Sequence, residues 1–179
     1  MDPTKISNIL ENSLSQTLSL YYPYAGRLKD NTIVDRNDAG AEFVQVQINS
    51  PISESLQWHN NAIEEMIFPQ GLPWSNCTNR ALVVAQISYF NCGGIVVSMC
   101  ISHKVGDGHS GYNFFMDWAI TSREPNLSTK PCLYYVEKSI FPPPPNGPFL
   151  SPLCTSNKDE SIHRRYTFLA KNLMNLRPQ

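Results

Sequence analysis

At 179 residues, 41% of them hydrophobic and 16% charged, the chain is long enough to bury one sizeable core and too apolar for a disordered protein. A formal net charge of −1 argues against nucleic acid or an anionic membrane surface as the main partner. No apolar run approaches the length of a membrane span, and the five cysteines, odd in number and without a C-x-x-C, read as reduced thiols with no metal or disulfide use.

The first twenty residues are polar and periodic rather than signal-like, so the expected compartment is the cytoplasm, and the glycosylation sequons at Asn76 and Asn126 are read as chance. Ile6, Ile9, Leu10, Leu14 and Leu18 recur at helical spacing and predict a first helix with a core-facing stripe, capped by Thr4 or Ser7. YPYAGRL at 22–28 ends that helix at its proline and glycine. A short strand is predicted over 32–35 and a turn over 37–40. Residues 43–48 alternate Val44, Val46 and Ile48 with Gln45 and Gln47, as a strand with one wet face should. A helical or loop segment over 53–66 and a break over 69–73 follow.

Two apolar, β-branched runs, 82–90 and 95–102, flank Asn91, Cys92, Gly93 and Gly94 and predict an antiparallel hairpin. The second strand delivers His103 from a buried position into a turn, where Gly106 and Gly108 let the backbone take positive φ, so that the turn can be tight and closely approached. A helix with Phe114, Phe115, Trp118 and Ala119 on one face comes next. Residues 125–152 read as an irregular wrap in which Pro142 to Pro145 must be extended. A returning strand over 163–169 and a helix over 170–176 that stops soon after it begins complete the chain. The fold class expected is mixed α/β, a mixed sheet covered by helices, with residues 1–152 as the main domain and 153–179 as a strand and cut-short helix of the same domain.

The chemistry concentrates at His103 and Asp107. Imidazole is the side chain whose proton affinity lies near neutral pH, so a rigidly held histidine can take the proton that an alcohol or amine loses on attacking an acyl carbonyl. Asp107, four residues later, either orients the imidazole or turns away and locks the loop by pairing with an arginine, and spacing alone leaves both roles open. A bare H-x-x-x-D spacing more often marks an ordinary loop histidine beside a turn aspartate. His59, His109 and His163 carry weaker signals. Ser110 has no G-x-S-x-G around it and reads as a helix-start residue, and Cys100 reads as core. The sequence holds no internal repeat, no phosphate-binding glycine loop and no metal-spaced cluster.

Five segments in order nevertheless resemble one family. YPYAGRL at 22–28 is similar to the "YPLAGRL" segment of the plant BAHD acyl-CoA-dependent acyltransferases, and Asn37, Asp38, Gly40 and Phe43 follow as in that family. Phe90, Cys92, Gly93 and Gly94 match its "F-x-C-G-G" turn, and SHKVGDG at 102–108 matches its "SHxxxDG" motif. Phe115, Trp118, Ala119 and Arg123 resemble the helix after it. The resemblance lies with the alcohol-acylating branch and covers the first half of the family's length. It implies a chloramphenicol-acetyltransferase-like fold, of which this chain is an incomplete N-terminal domain, with a channel between two domains for acyl-CoA and an acceptor. It assigns His103 as general base and Asp107 as a structural residue paired with an arginine in the second domain, with Lys104, Val105, Gly106 and Gly108 shaping the turn.

The implied function is acyl transfer from a CoA thioester to an alcohol of a plant-type secondary metabolite. Acyl-CoA is then a co-substrate, no cofactor is permanently bound, and the full-length enzyme is expected to be a monomer without nucleic-acid or membrane partners. The family's C-terminal "DFGWG" motif is absent from these 179 residues, so the chain alone is expected to be inactive. The alternative is a catalytically inactive homologue acting as a binding module. A carrier-protein-dependent condensation domain fits less well, because Ser102 stands where its doubled histidine would be.

Overall fold

The computed structural model describes residues 2–29, 33–56, 61–70 and 79–125. The expected wrap, returning strand and last helix, and the division at 152/153, lie outside the described residues.

Helix α1 (Pro3–Leu20) is capped two residues before Thr4, the earlier of the expected caps. Asp2 is its N-cap, accepting a bond from the Thr4 amide at 3.2 Å, and Pro3 takes the first helical position, where a missing N–H costs nothing. Leu14 and Leu18 face the core as expected, but Ile9 is 37% exposed, and Ser7, Ser13 and Thr17 occupy the buried face instead. A 3₁₀ turn (Tyr22–Ala25) leads into strand β1 (Arg27–Lys29), which pairs antiparallel with β2 (Ile33–Asp35). No strand over 27–29 is expected from sequence. It forms because Gly26 lets the two backbones close: a Cβ there would stand 2.5 Å from the Asp35 carbonyl oxygen and 2.8 Å from Val34 Cγ1.

The main sheet has the order β3-β4-β5, with β3 (Glu42–Ile48), β4 (Val83–Phe90) and β5 (Ile95–Ile101). β3 runs parallel to β4, and β4 pairs antiparallel with β5, so the sheet is mixed as expected. Short helices α2 (Ile52–Leu56) and α3 (Asn61–Met66) lie between β3 and β4, and α4 (Gly108–Arg123) follows β5. β4 is the buried strand, whereas β5, which carries the chain to His103, is only half-buried, a correction to the expected buried delivery.

Side chains alternate across a strand, so β4 serves two cores. Val83 and Ala85 join Leu14, Leu18, Tyr21, Tyr24, Phe114 and Trp118 on the face covered by α1 and α4. Phe90, with Ile48 and Ile63, belongs to a second cluster. Gln86 and Ser98, opposite one another in the ladder, hold the end of α3: Gln86 Nε2 donates to the Met66 carbonyl at 2.7 Å, and Ser98 Oγ to that of Ile67 at 2.5 Å. Burying polar groups on a strand is tolerable because each is bonded.

Candidate active site

The expected hairpin, β4 to β5, closes through Asn91, Cys92, Gly93 and Gly94. Gly93 has φ +83°, and its amide donates to the Phe90 carbonyl at 2.9 Å. Gly94 is needed for space, since a Cβ would lie 3.1 Å from Ile52 Cγ2. Cys92 Sγ accepts from the Ile52 amide at 3.3 Å, which with the Gly94 backbone holds its exposed thiol below the ordinary value. This family-like turn is therefore scaffold, tying the hairpin to α2.

At the other end of β5, Ser102 is fully buried and makes the turn. Its amide donates to the Leu82 carbonyl at 2.9 Å, extending the ladder, and its own carbonyl accepts from the Val105 amide at 3.1 Å. Ser102 Oγ accepts from the Lys104 amide at 3.4 Å. His103 is thereby carried to an exposed position at the start of a turn pinned from below. Sequence reasoning treated Ser102 only as part of a motif. Its signal was a hydroxyl residue at a strand end, the kind that satisfies turn amides.

Asp107 ends the turn as the N-cap of α4. Its Oδ1 accepts from the Ser110 amide at 2.8 Å and the Ser110 hydroxyl at 2.7 Å, and those bonds keep its carboxyl below the ordinary value. Among the described residues its carboxylate bonds Ser110 and not His103. Gly106 and Gly108 do not use their freedom to take positive φ; of the described glycines only Gly40 and Gly93 do. Gly108 opens α4 with free space around its α-carbon, whereas Gly106 is needed because a Cβ would collide with the Tyr24 hydroxyl and approach Ser110 Cβ to 3.2 Å.

Tyr24 belongs to the YPYAGRL segment, whose arginine has a separate task. Arg27 donates to the carbonyls of Gly26 at 3.0 Å, Ala39 at 3.0 Å and Gly40 at 2.6 Å, holding the predicted 37–40 turn, where Asp38 and Gly40 both have positive φ. His109 lies in the first turn of α4 beside Asn113, at 3.1 Å. Cys100 is half-buried, with burial raising its thiol above the ordinary value. His59, His163 and Cys77 lie outside the described residues. No group of three or more potential metal ligands occurs among the described residues, and no helix there is long and apolar enough to cross a membrane. A cavity of about 370 Å³, lined by residues such as Val44, Val46, Phe68, Val84 and Gln86, opens on the sheet. His103 and Asp107 are not among its lining, and sequence reasoning did not anticipate it.

The capping bond gives a direct prediction. Asp107→Ala should lower the melting temperature of the chain, while Asp107→Asn, whose side-chain oxygen still caps, should stay close to wild type. Because the folded carboxyl is held low, its charge-dependent contribution is present above the unfolded carboxyl range and is lost as pH falls through the folded value. The gap between wild type and Asp107→Asn in urea melts should therefore close on acidification. A gap that widens would show that the charge does not stabilise the cap.

The site is thus an exposed histidine at the end of a strand of a mixed sheet, ahead of a capped helix, and comparison with known proteins says which family carries it. A family model described as "Transferase family" matches residues 1–175. The chain belongs to that family, the BAHD acyltransferases its motifs resemble. It is 43% identical over 175 residues to the acyltransferase Pun1 of Capsicum frutescens, covering 96% of this chain and 40% of that protein. It is 42% identical over 176 residues to acylsugar acyltransferase 3 of Solanum lycopersicum, covering 97% and 40%. The fold matches a crystal structure of vinorine synthase with a TM-score of 0.69 and 30% identity, over 83% of this chain and 37% of that one. The chain thus spans about two fifths of the length of the curated relatives it matches.

Proposed function

We propose that the protein to which this chain contributes transfers an acyl group from acyl-CoA to a hydroxyl of a small secondary metabolite, with His103 as general base. The observation that carries this reading is the placement of His103, exposed and held from both sides by the Ser102 turn and the Asp107 cap, in a member of an acyltransferase family. The neutral imidazole takes the acceptor's proton as its oxygen attacks the thioester carbonyl. A C–O bond forms, the C–S bond breaks, and the imidazolium returns the proton to the leaving CoA thiolate. Asp107 is structural in this scheme, a reading supported by the two bonds its Oδ1 accepts from Ser110 at the start of α4. No metal or bound cofactor is required, acyl-CoA is the co-substrate, and the working enzyme is a cytoplasmic monomer.

Direct attack in a ternary complex leaves no acyl group on the protein. The test uses this chain fused to the remaining three fifths of a relative such as Pun1, incubated with acyl-CoA with and without an alcohol acceptor. Intact mass spectrometry should show ester product and no acylated protein. A stoichiometric acyl adduct on Cys100 or Ser110 that forms without acceptor and discharges on its addition would overturn the mechanism.

A further inference from the structure

Gly106 sits on the Tyr24 side chain without needing a glycine backbone. Its φ is not positive, so alanine would be unstrained there, yet a Cβ would run into the Tyr24 hydroxyl and come within 3.3 Å of Tyr24 Cζ and 3.2 Å of Ser110 Cβ. Tyr24 is in turn immobilised. It is 5% exposed, with its ring 5.2 Å from Phe114 and 5.7 Å from Tyr21 between centroids. The hydroxyl of this ring therefore lies against Gly106 of the turn and hydrogen-bonds Ser110 of α4, whose own hydroxyl bonds Asp107. We propose that Tyr24 is a positioning residue for His103, its hydroxyl forming the floor on which the 103–107 turn rests and the stop that sets how far the turn can sink. Burial raises the Tyr24 hydroxyl above its ordinary value. This inference rests on the reading of His103 as the base, and its test has one arm that does not.

The first arm uses the 179-residue chain and reads the His103 imidazole resonances and amide exchange by NMR. Tyr24→Phe keeps the ring and removes the floor, so the imidazole resonances should shift and exchange at Lys104 and Val105 should quicken about fivefold, the factor one hydrogen-bond-scale contact supports. Amides of β4 should be unaffected. The second arm measures turnover in the fused enzyme. Gly106→Ala should push the turn outward and lower kcat by roughly 10- to 100-fold, with KM for acyl-CoA little changed. Adding Tyr24→Phe to Gly106→Ala removes the hydroxyl collision, leaving the milder 3.3 Å and 3.2 Å approaches, and should recover much of that loss, which a general loosening of the fold would not do.

Unmoved resonances and exchange in Tyr24→Phe would overturn the proposal, even if Gly106→Ala fails to fold. A double variant as slow as the product of the two single losses would do the same. Should His103→Ala keep near-normal turnover, the base assignment fails and takes the catalytic role of Tyr24 with it, while the NMR arm still reports on the contact.

Discussion

His103→Ala in the fused enzyme is expected to lower kcat by about 10²- to 10⁴-fold, the range that a positioned general base contributes. The melting temperature should hardly move, because His103 is exposed and its turn is built by the backbone and side chain of Ser102 and the capping carboxylate of Asp107. KM for acyl-CoA should change little, since the alanine variant removes a proton acceptor and none of the framework around it. Such a separation of kcat from both stability and KM is the mark of a group that acts in the transition state. Steady-state kinetics alongside thermal melts decide the matter, and near-normal turnover would remove His103 from the mechanism.

The second large effect concerns stability. Trp118 is 2% exposed, and its indole N–H reaches from α4 to α1, donating to the Leu10 carbonyl at 3.0 Å and to Ser13 Oγ at 3.0 Å. The ring also stands edge-on to Phe115, with centroids 5.9 Å apart. Trp118→Ala should cost about 3–5 kcal/mol, the usual figure for truncating a buried aromatic side chain, which is a large share of the roughly 5–15 kcal/mol that holds a domain together. Trp118→Phe should cost less, because much of the packing survives and Ser13 Oγ still donates to the Leu10 carbonyl at 3.0 Å. Urea unfolding of the chain measures both, and a Trp118→Ala cost below about 1 kcal/mol would contradict the burial. The site and the helix contact should be energetically distinct: His103→Ala should alter rate without stability, and Trp118→Phe stability without the geometry of the turn.

The elements carried by strong periodic patterns were legible in the sequence. The 82–90 and 95–102 runs became β4 and β5, the alternation of 43–48 became β3, and Phe114 and Trp118 turned inward from α4. Other features were hidden because their cause lies far along the chain. Ser13 and Thr17 look like surface residues of α1, yet both are buried. Thr17 Oγ1 satisfies itself on the Ser13 carbonyl at 2.8 Å, and Ser13 receives the Trp118 indole from 105 residues away. The β1 strand needed Gly26 to admit Asp35, a contact no local propensity reports.

What the sequence determined by itself was the inventory of chemistry: a histidine at the end of a β-branched strand, an aspartate four residues on, and motif order specific enough to mark the family. Short-range physics suffices for the strand and the turn, since side-chain alternation and turn composition are written in neighbouring residues, while the family rests on the resemblance of the motifs. Only the tertiary structure decided which groups each motif residue touches. Spacing left Asp107 free either to orient the imidazole or to turn away; the fold directs its carboxylate to Ser110, because an N-cap acceptor satisfies the orphan amides at the start of α4. The two glycines of the turn look equivalent in one dimension, but packing separates them. Gly108 has space for a side chain, while Gly106 has none, because the Tyr24 hydroxyl, on a ring packed against Tyr21 and Phe114, fills the volume a Cβ would need.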